Sequence, residues 1–198
     1  MNIYSPKKVK IIILASGNGS NAENIIKYFR KKNLEIDWVI ITNNQNARVL
    51  KRSKELKVPY LIFNKQQFND GSVLSVFEEI KPSLIILAGF LLKISENILE
   101  KFSNKIINIH PSLLPKFGGK GMYGMNVHNK VVENFEKESG ITIHFVNKNY
   151  DEGKIIFQKK IAIEYPCSSE YLAKKIHKLE IHFFPLIIEK LIKSVDYE

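Results

Sequence analysis

The chain has 198 residues, of which 44% are hydrophobic and 25% are charged, and this balance is typical of a globular protein with one sizeable core. No apolar stretch approaches membrane-spanning length, and the single cysteine, Cys167, excludes an internal disulfide framework. We therefore expect a cytoplasmic protein without a membrane partner. The net charge of +10 favours anionic ligands, but the basic residues are scattered, so we predict no nucleic-acid partner.

Strand and helix patterns alternate along the chain, which predicts βαβ units around a parallel sheet. The predicted strands cover residues 9–15, 36–42, 58–63, 83–88, 106–110, 141–146 and 155–163. The predicted helices begin at Ala22 and cover 47–56, 66–80, 95–102 and 126–137, and a last helix begins after Ser168 or Ser169. We expect one α/β domain over residues 1–198, with a mostly parallel twisted sheet, helices on both faces and an antiparallel C-terminal hairpin.

A glycine-rich loop follows the first strand and leads into a helix. Gly17-Asn-Gly-Ser-Asn-Ala22 fits the G-x-G-x-x-G/A pattern, in which loop N–H groups and the helix N-terminus face an anion. A dinucleotide site should also have an acid after the second strand, but that strand ends in Thr42-Asn-Asn44. The loop therefore favours a simple phosphate, and a tight turn without a ligand remains the alternative.

The short strand 106–110 carries two polar side chains, Asn108 and His110, on one face and ends at Pro111. Open α/β sheets bind ligands at this edge, where an amide can donate to an oxyanion and an imidazole can transfer a proton. Structural roles for both residues are the alternative. Asp151, in the turn 147–153, would raise the pKa of His110 if it lay nearby, although an ordinary turn residue explains it as well.

The remaining histidines lack the spacing of metal ligands, so we predict no metal. His144 lies on a predicted strand, and we expect it to be packed in the core or behind the site residues.

Four motifs, in this order, resemble the phosphoribosylglycinamide (glycinamide ribonucleotide) formyltransferases, which are folate-dependent. The motifs are Ser16-Gly-Asn-Gly-Ser-Asn21, Ala88-Gly-Phe90, Asn108-Ile-His-Pro-Ser-Leu-Leu-Pro115, and His144-Phe-Val146 with Asp151-x-Gly153. The third is shared with other folate-dependent formyltransferases, and the first indicates the glycinamide ribonucleotide branch. The resemblance implies transfer of a formyl group from 10-formyltetrahydrofolate to phosphoribosylglycinamide in purine synthesis, with small-molecule substrates and 10-formyltetrahydrofolate as co-substrate.

The resemblance also implies roles for individual residues. Asn108, His110 and Asp151 match the catalytic trio of the family. The phosphate-binding residues are expected to be Gly19, Ser20 and Asn21. The folate-binding residues are expected to be Gln66, Leu91, Leu92, Lys93, Ile94 and Asn108. Residues 8–105 would then form a phosphate-binding half, and residues 106–198 a catalytic and folate-binding half.

Two positions depart from the family pattern, because Leu92 and Gln66 stand where an arginine is common. Two other functions stay open at this point: formylation of methionyl-tRNA or an amino sugar, and nucleotide binding without catalysis on the same fold. The oligomeric state is open between a monomer and a weak dimer.

Overall fold

The computed structural model describes residues 8–195, and its strands form one seven-stranded sheet. The strands are β1 Val9–Leu14, β2 Ile36–Thr42, β3 Tyr60–Ile62, β4 Leu84–Leu87, β5 Ile106–His110, β6 Glu138–Phe145 and β7 Ile155–Ala162. Their order across the sheet is β3-β2-β1-β4-β5-β6-β7. The first five are parallel, whereas β6 pairs antiparallel with both β5 and β7, which confirms the predicted fold class and hairpin.

Helices cover both faces of the sheet. They are α1 Ser20–Lys31, α2 Val49–Glu55, α3 Ser72–Ile80, α4 Glu96–Lys101, α5 Met125–Glu133 and α6 Ser169–Val195. Side chains alternate along β1, so Ile11 and Ile13 join a core with α1, α5 and α6, whereas Ile12 and Leu14 join a second core with α3 and α4. No helix within residues 8–195 is both long and apolar enough to cross a membrane.

The four helices whose two ends were predicted, α2 to α5, are all shorter in the structure, and the two largest shifts of an end have a local cause. α3 begins at Ser72, because Gly71 adopts a left-handed φ of 94° and the residues before it form turns. α5 ends at Glu133, because Phe135 has a φ of 49° and the chain then enters β6 at Glu138. Left-handed residues end a helix even where apolar periodicity continues, and this explains both differences.

The register of β5 decides what surrounds the predicted site. Asn108 pairs with Leu87 of β4 on one side and with His144 of β6 on the other. His110 pairs with Thr142, and the parallel strand β4, which pairs with β1 on its far side, ends beside β5. Polar side chains from β5 and β6 therefore meet where the parallel strands reach their carboxyl ends.

Candidate active site

A cavity of about 1020 Å³ opens at the carboxyl ends of the parallel strands, where α/β sheets bind their ligands. Its walls come from the loop before α1, the turn after β4, the end of β5, the loop before α5, the β6–β7 turn and α6. Drug-sized ligands occupy pockets of roughly 300–1,000 Å³, so the cavity lies at the upper end of the size range of ligand sites.

Asn108 is held by His144 across the β5–β6 pair. The Nδ1–H of His144 donates to the main-chain oxygen of Phe145 at 2.8 Å, so its Nε2 is the acceptor for the Asn108 Nδ2–H at 3.2 Å. This contact orients the amide and leaves the second N–H of Asn108 for another acceptor. His144 is 2% exposed, in line with the prediction of a packed residue, and it also lines the cavity.

His110 lies between a main-chain carbonyl and a carboxylate. Its Nε2–H donates to the oxygen of Phe117 at 2.8 Å, and its Nδ1 is 3.5 Å from Asp151 Oδ2. The other carboxylate oxygen of Asp151 is 3.6 Å from His144 Nε2, and Oδ2 also accepts the Gly119 N–H at 2.9 Å. The fold therefore brings Asn108, His110 and Asp151 together, with the loop before α5 attached to two of them.

The environment moves the pKa values of both titrating partners. Burial lowers the pKa of His110 below its usual 6.5, although the negative charge of Asp151 opposes this shift. Burial alone would raise the pKa of Asp151, but the contacts with His144, His110 and Gly119 hold it below its usual 3.8. Asp151 thus raises the pKa of His110, as the sequence predicts for a neighbouring carboxylate, but desolvation outweighs this effect.

The predicted phosphate loop forms one wall of the cavity. Ser20 and Asn21 line it at the N-terminus of α1, whereas Gly19 is buried behind them with a left-handed φ of 73°. Asn21 Nδ2 donates to Glu180 Oε2 at 2.9 Å, and the His177 Nδ1 is 3.0 Å from the same oxygen.

Sequence reasoning missed Glu180 and His177, which lie three residues apart on α6. That spacing places both on one face of the helix. No local signal in the sequence connects that face to a loop about 160 residues earlier in the chain.

The predicted folate turn forms another part of the wall, where Leu91, Leu92, Lys93 and Ile94 all line the cavity. The Lys93 Nζ is 5.9 Å from the centre of the ring of Tyr150, the residue that precedes Asp151 in the sequence.

Ser16 supports the predicted folate turn, because its Oγ accepts the Leu91 N–H at 2.9 Å. Gln66 is exposed and lies outside the residues that line the cavity, so its folate role stays a prediction without a supporting contact. Among residues 8–195, no cluster of three His, Cys, Asp or Glu side chains is placed to hold a metal ion.

Comparison with known proteins identifies relatives over nearly the whole chain. A family model described as "Formyl transferase" matches residues 9–188. The chloroplastic phosphoribosylglycinamide formyltransferase of Arabidopsis thaliana is 34% identical, over 96% of this chain and 69% of its own length. The phosphoribosylglycinamide formyltransferase of Bacillus subtilis is 33% identical, over 92% of this chain and 94% of its own length.

Solved structures show the same similarity. Glycinamide ribonucleotide transformylase 1 from Geobacillus kaustophilus superimposes with a TM-score of 0.85 at 26% identity, covering 93% of this chain and 99% of its own. The phosphoribosylglycinamide formyltransferase from Anaplasma phagocytophilum gives a TM-score of 0.82 at 30% identity, over 96% of this chain and 88% of its own.

Proposed function

The chain belongs to the formyl transferase family, and we propose that it transfers the formyl group of 10-formyltetrahydrofolate to the amine of phosphoribosylglycinamide, a step of purine biosynthesis in the cytoplasm. The observation that carries this proposal is the position of Asn108, His110 and Asp151. They lie together in a cavity that also contains the N-terminus of α1 and the turn after β4. A helix N-terminus that suits a phosphate and an apolar turn thus line the same cavity as one cluster of acid–base groups.

The two walls suit the two substrates. The N–H groups at the start of α1, near Ser20 and Asn21, and the helix dipole favour the ribose phosphate. Leu91, Leu92 and Ile94 offer an apolar surface for the pterin in another part of the same cavity. In this arrangement the amine and the formyl carbon meet beside Asn108.

The reaction forms a bond between the amine nitrogen and the formyl carbon and breaks the bond from that carbon to the folate nitrogen. One proton moves from the amine to the folate nitrogen, so no net proton is gained or lost. Asn108 uses the N–H that His144 leaves free to donate to the formyl oxygen as negative charge develops there. This hydrogen bond is strongest in the transition state, and it therefore lowers the barrier.

His110 supplies the second stabilising group. Burial lowers the pKa of His110 and so disfavours the imidazolium, whereas negative charge that develops on the formyl oxygen favours it. Asp151, 3.5 Å from Nδ1, stabilises that cation and can hold a water that relays the proton. His110 therefore gains and returns a proton within the catalytic cycle, which is general acid–base catalysis without a covalent intermediate.

The test mixes the purified protein with 10-formyltetrahydrofolate and phosphoribosylglycinamide and follows the release of deformylated folate. We expect turnover with this acceptor and none with an amino sugar or methionyl-tRNA. His110→Ala should lower this turnover. His182→Ala is its matched control, because His182 is exposed on α6 and lies outside the residues that line the cavity. Folate consumption at the background rate, or a preference for another acceptor, would contradict the proposal.

A further inference from the structure

The loop before α1 is braced from outside the cavity by α2. The main-chain N–H of Val49 donates to the oxygen of Gly17 at 3.1 Å. The Val49 side chain fills the space where a side chain at Gly19 would lie, since a Cβ there would be 2.4 Å from its Cγ2. The position of the loop is therefore set by the first turn of α2 as well as by α1.

One residue of α2 holds one residue of the loop at two points. Arg52 Nε–H donates to the main-chain oxygen of Asn18 at 2.8 Å, and Arg52 Nη2–H donates to Asn18 Oδ1 at 3.1 Å. The remaining nitrogen of the guanidinium pairs with Glu23 on α1, which also pairs with Lys27. Arg52 thus joins the loop, α1 and α2 through a planar fork that a lysine cannot reproduce.

This contact determines which polar groups Asn18 presents to a ligand. Asn18 is exposed and lines the cavity on the same wall as Ser20 and Asn21. Because Arg52 engages both its main-chain oxygen and its Oδ1, the amide is held with its Nδ2–H groups on the side away from the guanidinium. The loop therefore offers donors, which suit an anion, rather than amide oxygens, which would repel one.

We infer that Asn18 is a further phosphate-binding residue and that Arg52 is its positioning residue. The inference rests on the proposed function, because it assigns these residues to the phosphate of the acceptor substrate. The expected phosphate-binding residues Gly19, Ser20 and Asn21 thus gain a side-chain donor, Asn18, whose orientation is set by Arg52 of α2. Arg52 acts through Asn18, since its own guanidinium is occupied by the loop and by Glu23.

The test is a double-mutant cycle on substrate affinity. Arg52→Lys keeps the charge and removes the two-point contact, and Asn18→Ala removes the amide. Each should raise the KM for phosphoribosylglycinamide about tenfold, the scale of one hydrogen bond to a charged group. The turnover number and the KM for the folate should not change. Arg48→Lys is the matched control, because Arg48 is an exposed residue at the start of the same helix.

The double variant should raise the KM for phosphoribosylglycinamide about tenfold rather than about a hundredfold, because both changes remove the same contact. The dephosphorylated acceptor should bind all variants equally. Additive losses, equal losses for the dephosphorylated acceptor, or an unchanged KM in Asn18→Ala would each overturn the inference. Thermal unfolding of each variant distinguishes these results from misfolding. Asn18→Asp provides a second check, because it keeps both acceptors for Arg52 and removes the side-chain N–H donors.

A wild-type protein without formyl transfer would refute the proposed function alone. Calorimetric titration with ribose 5-phosphate would then still decide the roles of Asn18 and Arg52. We expect weaker binding of this probe by Arg52→Lys and Asn18→Ala than by Arg48→Lys. Equal binding by all three would overturn the inference.

Discussion

Gly19 is the position where the fold and the proposed phosphate site depend most directly on one another. We expect Gly19→Ala to destabilise the protein, because φ is 73° there and a Cβ would lie 2.4 Å from Val49 Cγ2 and 2.6 Å from Val49 Cβ. The first problem is backbone strain, since the left-handed region disfavours side chains. The second is overpacking against a fully buried residue of α2.

The two effects can be given magnitudes. A side chain in the left-handed conformation costs about 1–2 kcal/mol, and an inserted methyl group in a packed core costs about 1–3 kcal/mol. Together they predict a loss of about 2–5 kcal/mol, a large part of the roughly 5–15 kcal/mol by which single domains are stable. Relief requires the loop to move away from α2, so we also expect the KM for phosphoribosylglycinamide to increase.

Urea unfolding measures the loss, and Gly17→Ala is the control in the same loop. A Cβ at Gly17 would meet no atom of a packed neighbour within 4 Å, and φ there is not left-handed. This variant should therefore change the free energy of unfolding by less than about 0.5 kcal/mol. Equal unfolding midpoints for the two variants would refute the argument from Val49. If Gly19→Ala is destabilised but its KM for phosphoribosylglycinamide is unchanged, the position of the loop does not determine phosphate binding.

Three further outcomes are expected. His110→Ala should lower the turnover number by roughly 2–4 orders of magnitude, while folate binding and the activity of His182→Ala stay near wild type. Asp151→Asn removes a negative charge that raises the pKa of His110, so NMR should show its titration at lower pH than in the wild type, and an upward shift would exclude this coupling. Asn21→Asp should weaken phosphoribosylglycinamide binding far more than folate binding, because the new carboxylate would face both the substrate phosphate and Glu180. Isothermal titration measures both affinities, and equal losses would argue against a phosphate site.

Much of the architecture could be read from local patterns. Apolar runs such as 9–15 and 106–110 indicated buried strands, and their alternation with helical patterns indicated a parallel sheet with helices on both faces. The bounds of α3 and α5 were wrong because Gly71 and Phe135 adopt left-handed conformations, which apolar periodicity does not report. Local sequence specifies the type of an element more strongly than its ends.

The candidate site divides in the same way. The sequence determined the types of group in the site: an amide and an imidazole on one strand, and a glycine-rich loop before a helix. It could do so because neighbouring residues set strand alternation and turn conformation. The motifs also indicated the family. None of them gave the distances that join Asn108 to His144 or His110 to Asp151.

Only the tertiary structure decided those contacts, and with them the direction of the pKa shifts in the site. Asn108 meets His144 because of the β5–β6 register, and Asn21 meets Glu180 because α6 packs against α1. The pKa of His110 is lowered by burial, which depends on atoms from distant parts of the chain. Distances and desolvation are properties of packed segments, whereas strand, helix and turn preferences belong to the segments themselves. The sequence alone therefore predicted the groups of the site but not the distances between them or the shifts of their pKa values.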